Sequence, residues 1–273
     1  MISPARRDAP SSRSPSATLL TLRAIALFYL AALLVVPVGM VFYRAFEKGI
    51  GPAWEAVTTP PAQHAFFLTI TIALIAVPLN AVFGVVCAWV LARYDFRGKR
   101  ILDVLIDLPF AVSPVIVGLA LILVWGRDGW FGSTEVIFST PGMVLATIFI
   151  SLPFVVREVM PVLEEEGTEQ EQAASTLGAR GRQVFWRITL PTIRWGLTYG
   201  VILSTARAIG EFGAVAVVSG KIQGRTETLT LFVEDRFQSL DLTGAYAAGV
   251  VLALLGVAVL ALMTLLQRRH GRI

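Results

Sequence analysis

The sequence predicts an all-α membrane protein with six transmembrane helices. Composition is the first reason. Of 273 residues, 55% are hydrophobic and only 15% charged, with a mean hydropathy of +0.71; a soluble domain carries about a quarter charged residues. Distribution is the second. The apolar residues fall in long runs, and a run of roughly 20 crosses a bilayer as a helix. Helix is forced on each run, because a lone strand leaves its backbone groups unpaired in lipid. The third is one long polar interruption, residues 168–191, built with more local structure than a connecting loop needs.

Residues 1–20 are rich in Ser, Pro and Arg and are expected to be a disordered basic tail. The run 24–43 is longer than the apolar part of a signal peptide and lacks a clear small-residue cleavage site after it, so it is read as an uncleaved first span. Residues 21–63 hold this span and the loop after it, 64–267 a core, and 268–273 a short second tail. Within the core the second span covers 65–92 and the third 108–125. The fourth covers 142–156 and is the shortest; the fifth covers 195–219 and the sixth 244–266. Asp103 and Asp107 precede the third span and are expected at a helix start, where acids offset the helix dipole and the nearby Arg97, Lys99 and Arg100. Ser113 and Pro114 mark a possible break in that span, with freed backbone donors that could face an oxyanion.

Orientation follows from the bases. Of 23 Lys and Arg, sixteen lie in the N-terminal tail, the second-to-third and fourth-to-fifth loops and the C-terminus; six lie on the other side, and Arg207 lies in a span. The positive-inside rule places both termini and residues 168–191 in the cytoplasm. The net charge of +4 is therefore loop charge, and no basic stripe with interleaved aromatics points to nucleic acid. No GxxxxGK[ST] loop is present, nor an HExxH or Ser/His/Asp arrangement. His64 and His270 fall at opposite membrane faces, and Cys87, the only cysteine, reads as a small core residue.

The stretch 168–191 opens with Thr168 and Glu171, the spacing of a capping box. A short helix follows over 169–177, then Gly178 where a left-handed turn ends it. A second helix is expected over 181–188, with Val184, Phe185 and Ile188 on one side and Leu190–Pro191 as its stop. Acidic residues crowd the entrance and Arg180, Arg182 and Arg187 follow. Two readings stand: a solvated charged loop, or a short helix presented to a groove on a partner protein.

The residues resemble a known family. Gln172-Ala173-Ala174, three residues, Gly178, nine residues, then Ile188-x-Leu190-Pro191 is similar to the EAA loop of ABC importer permeases, with Gln172 in place of the family's Glu. That exchange keeps helix propensity but bears on any salt bridge the Glu would make. Further stretches, residues 106–123, 141–163 and 206–220, resemble the sulfate/thiosulfate permease subunits of the CysW type; the segment around Gly210-Glu211-Phe212-Gly213 is shared with molybdate and tungstate permeases. The resemblance implies a type I ABC importer permease (MetI-like) in a bacterial inner membrane. It also implies partners: a second, different permease, two ATPase subunits and an extracytoplasmic sulfate-binding protein. No cofactor belongs to this chain, since ATP and Mg would sit on the ATPase. The loop would be the coupling helix, with Gln172, Ala173, Ala174, Leu177, Gly178, Ile188, Leu190 and Pro191 against that ATPase.

Arg207 and Glu211 lie four apart in the fifth span, on one helix face and near the bilayer centre. They read either as an ion pair that fixes packing or as charges shaping an anion path or gate; Ser113 is the third candidate for that path. Besides molybdate or tungstate import, an ion-coupled secondary transporter and a non-transporting scaffold stay open. The first of these uses Asp103, Asp107 or Glu211 as proton carriers.

Overall fold

The computed structural model describes residues 17–132 and 136–270, and among these every regular element is helical. The chain starts as one apolar rod: α1 (Ala17–Leu30), a π-helical turn (Ala31–Val35) and α2 (Val36–Phe46). Residues 17–20 of the expected tail are thus already helix; residues 1–16 and 271–273 lie outside the described residues. After the short α3 (Ile50–Thr58) comes α4 (Pro60–Arg93), whose start fits two prolines at positions with no helical N–H to give and a Thr59 hydroxyl that accepts the Ala62 N–H. Its 34 residues run about 51 Å, well beyond a hydrocarbon core.

The expected third span is not a single rod. It is α5 (Lys99–Ala111) and α6 (Pro114–Trp125), bent by 116° where Val112 and Ser113 leave helical geometry. Pro114 explains the break, since the residue before a proline is driven to extended backbone. Then α7 (Thr140–Glu166) extends the short fourth span at both ends. The polar stretch forms α8 (Glu169–Thr176) and α9 (Gly181–Val184), and a π turn (Phe185–Thr189) leads without a break into α10 (Leu190–Ile209). Leu190 and Pro191 therefore do not stop a helix, as the sequence suggested; they begin one. In the π turn the Leu190 N–H reaches back to the Phe185 carbonyl, and Pro191, with no N–H, falls in the first turn of the new helix. The expected fifth span is likewise broken: α10 stops at Ile209, and α11 (Gly213–Val218) restarts after three residues. The chain ends with α12 (Leu229–Gln238) and α13 (Leu242–His270).

Among the described residues four helices are long and apolar enough to cross a membrane, five if the bent α5–α6 pair counts as one. The remaining expected span, α10–α11, is broken and carries Arg194 and Arg207.

The centre of the bundle is α4 against α7, with α10 packed against both: Ala73 and Val77 of α4 share a buried cluster with Ala208 and Ile209 of α10. Val85, Leu91, Val155, Val156, Val159, Leu163 and Ile193 form one buried cluster there. Lipid is as apolar as these side chains, so close packing and polar contacts hold the helices rather than hydrophobic expulsion. Small residues supply the closeness. A Cβ on Gly84 would lie 2.6 Å from the Val155 Cβ, and one on Gly200 would lie 2.8 Å from the Val155 Cα. Gly196 and Gly200 are a small-xxx-small pair. Polar ties cross the same seam as well: the buried Asn80 amide donates to Ser151 Oγ at 2.8 Å and to the Ile148 carbonyl at 3.2 Å.

Candidate functional site

Two sets of residues were singled out by sequence, and the structure builds each differently. The first is the elbow between α7 and α10. α8 ends in a Schellman motif: Ala179 N–H bonds the Ala174 carbonyl at 3.0 Å, Gly178 N–H bonds the Ser175 carbonyl at 3.0 Å, and Gly178 has φ +88°. A glycine suits that conformation because a Cβ would strain it. α8 buries none of its residues. Gln172, Ala173 and Gly178 are exposed, Ala174 is half-buried, and Leu177 is 88% exposed. Pro191 is exposed as well, while Ile188 and Leu190 are half-buried at the root of α10.

The capping box is not made. Thr168 provides no side-chain cap; its hydroxyl accepts from Gln172 Nε2 at 2.9 Å. Glu171 turns instead toward the bundle. Its carboxylate lies against the Arg93 guanidinium, with Nε–Oε2 at 3.2 Å and Nη2 donating to Oε1 at 3.3 Å, and it accepts the Thr189 hydroxyl at 2.9 Å. Sequence reasoning missed Arg93 and Thr189, because nothing local marks residues whose partner is 78 and 18 positions away. Below them Phe185 packs edge-on to Trp89 of α4, with ring centroids 6.2 Å apart.

The second set lies at the two helix breaks, which meet. A Cβ on Gly213, the first residue of α11, would be 2.8 Å from the Pro114 Cβ, and one on Gly118 would be 2.9 Å from the Ala214 carbonyl. Only small residues allow α6 and α11 this contact. Ser113 caps α6 with its backbone carbonyl, which accepts from Ile116 and Val117; its side chain is exposed and caps nothing.

Arg207 and Glu211 do pair, Nη1 to Oε2 at 2.5 Å, but not on one continuous helix face. Glu211 lies past the end of α10, so the contact closes over the helix C-terminus, where a guanidinium is favoured. The Glu211 side chain is 1% exposed and that of Arg207 30%. Glu211 Oε1 accepts the Ala214 N–H at 2.9 Å, and the Glu211 carbonyl accepts the Thr230 hydroxyl at 2.9 Å. Thr69 of α4 takes the Leu229 N–H at 2.9 Å. Glu211, Thr69, Thr147 and Thr228 line a buried cavity of about 10 Å³, room for about one water and not for an oxyanion. The Glu211 carbonyl thus ties the α10 break to the start of α12, and part of the Arg207 side chain stays exposed.

Asp103 and Asp107 are not at a helix start; they lie in the second and third turns of α5. Both hold Arg157 of α7, which the sequence had placed in a loop: Nε to Asp107 Oδ1 at 2.8 Å, Nη2 to Asp107 Oδ2 at 2.5 Å and Nη2 to Asp103 Oδ1 at 2.7 Å. Both carboxylates being so paired, they are not arranged as a free proton relay.

Similarity to known proteins agrees with this architecture. Residues 80–272 match the family described as binding-protein-dependent transport system inner membrane component. A sulfate transport system permease protein CysW from Synechocystis sp. is 54% identical over 91% of this chain and 92% of its own length. The protein of the same name from Escherichia coli K12 is 47% identical over 90% of this chain and 86% of its own length. A crystal structure of a bacterial ABC transporter that imports the acidic polysaccharide alginate shares the fold, with a TM-score of 0.78 at 15% identity over 93% of this chain and 96% of that one. The chain is a multi-pass membrane protein that belongs to the family of binding-protein-dependent transport system inner membrane components, the ABC importer permeases, and within it to the CysW type.

Proposed function

We propose that this chain is one permease subunit of an ATP-driven sulfate/thiosulfate importer. It moves the anion inward by alternating access, coupled to a separate ATPase through residues 168–191. The observation that carries this is the α8 elbow: a short helix with no buried residue, an 88% exposed Leu177 at its end and a left-handed Gly178 behind it. The sulfate permeases at 54% and 47% identity support the substrate.

In this reading Gln172, Ala173, Ala174, Leu177 and Gly178 enter a groove on the ATPase, with Ile188, Leu190 and Pro191 carrying the motion into α10. Differential docking to open and closed ATPase states biases inward-facing against outward-facing packing. The complex then holds a second permease, two ATPase subunits that bind ATP and Mg, and a binding protein outside the inner membrane, with both termini of this chain in the cytoplasm. Arg207 contributes positive potential to the anion path beside Ser113.

The test is ATP-dependent uptake of labelled sulfate by vesicles holding all subunits, wild type against Gly178→Asp. Uptake that collapses in the mutant while the subunit still reaches the membrane supports the coupling role. Wild-type uptake that needs no ATP and ignores the mutation overturns it in favour of an ion-driven carrier. Competition by thiosulfate, molybdate and tungstate sets the range of anions.

A further inference from the structure

We infer that the Arg93–Glu171 ion pair is the joint through which motion of α8 reaches the membrane helices, both residues acting as positioning residues; this rests on the coupling role proposed for α8. The inference starts from what α8 lacks. It buries no residue, so apolar packing does not set its angle to the bundle. One inward-turned side chain does. Glu171, in the first turn of α8, meets Arg93 in the last turn of α4, and the two side chains are only 19% and 9% exposed.

Arg93 is held in turn by α7. Its Nη1 donates to the Leu163 carbonyl at 2.7 Å, one of the last four carbonyls of α7, which have no partner within the helix. Glu171 also accepts the hydroxyl of Thr189, a buried residue of the π turn from which α10 departs. Four elements therefore share one charged contact: the end of α4, the end of α7, the start of α8 and the root of α10. A fork of fixed donors suits that task, since a guanidinium addresses a carboxylate and a carbonyl at once, which a point-charge ammonium does not. The residues that would touch an ATPase, Gln172, Ala173 and Leu177, are exposed, while the adjacent Glu171 is turned inward. A push on the exposed side thus passes to three membrane helices without rearranging α8 itself.

The experiment uses the whole complex, this chain with its second permease, ATPases and binding protein, in proteoliposomes. It reads sulfate moved per ATP hydrolysed in assembled complexes carrying Arg93→Gln, Glu171→Gln, both together, or Arg93→Lys. The expected result is ATP hydrolysis that continues while sulfate per ATP falls about fivefold in each single variant, with the double variant no worse than the singles and Arg93→Lys between them and wild type. A ratio equal to wild type in assembled complexes overturns the inference. Should the charge-neutral variants fail to assemble, Thr189→Val, which removes one bond to Glu171, decides by the same ratio. Gly178→Asp runs alongside. If it uncouples and the pair variants do not, only the joint falls; if it too has no effect, the coupling role of α8 falls and the joint with it.

Discussion

Arg157 grips Asp107 through two parallel contacts, Nε to Oδ1 at 2.8 Å and Nη2 to Oδ2 at 2.5 Å, although the residues lie 50 positions apart on different helices. Asp103, one turn earlier on α5, takes the same guanidinium. Such forked pairing is stronger than a point contact. It anchors α5, and hence the 116° bend after it, to α7.

Arg157→Lys should therefore not be neutral. A lysine cannot reproduce the fork. A loss of about 1 kcal/mol or less in unfolding of the purified protein is expected, kept small by the partial exposure of all three side chains. Equal unfolding midpoints for Arg157→Lys and wild type would show that the clamp contributes nothing.

Overpacking should separate two glycines. Gly200→Val drives a side chain into the Val155 backbone, while Gly39→Val meets nothing within 4 Å. The first is expected to cost about 1–3 kcal/mol and the second little. Thermal aggregation of the detergent-solubilised protein measures both, and a Gly200→Val variant as stable as Gly39→Val contradicts the packing of α10 on α7.

The Arg207–Glu211 pair can be opened from one side or removed whole. Glu211→Leu leaves a partly buried guanidinium without its partner, which costs about 3–5 kcal/mol at a buried site and less where the charge reaches solvent. Arg207→Met combined with Glu211→Leu removes both charges and should recover much of the yield of folded protein. If the double variant also regains uptake, the pair is packing alone; if it folds but does not transport, Arg207 serves the anion path.

Glu227 should give the protein a pH dependence. It lies between α11 and α12, 2% exposed, and burial first, then the nearby Asp235, raises its carboxyl to about 7, against a smaller lowering by Arg236. The folded state therefore holds this proton more tightly than the unfolded chain. Its contribution is greatest below the ordinary carboxyl range, near 4.5, and is lost as pH rises to about 7. The full change is at most about 3 kcal/mol. Glu227→Gln should flatten the unfolding midpoint across pH 5–7; an unchanged slope rules Glu227 out as its source.

Legibility in the sequence tracked the distance over which each signal acts. α8 was readable nearly to the residue, 169–177 expected and Glu169–Thr176 observed, because a glycine that ends a helix in a left-handed turn is a local event. The bend at Ser113 was readable for the same reason, through Pro114. The capping box was a local signal that lost: Glu171 had a better partner in Arg93 than in its own backbone. Arg157 was misplaced because a charge in an apolar run looks like a loop until two acids from another helix neutralise it.

By itself the sequence determined that this is an all-helical membrane chain with a short polar helix between two spans and charged residues held within them. Those properties follow from backbone satisfaction in lipid and from residues three to six apart. Only the tertiary structure decided which charges meet. It brought Arg93 to Glu171, Asp103 and Asp107 to Arg157, and the two helix breaks to each other at Pro114 and Gly213. Each of these contacts joins residues tens of positions apart, and it exists because paired charges and close-fitting glycines, rather than hydrophobic expulsion, hold helices together in a bilayer.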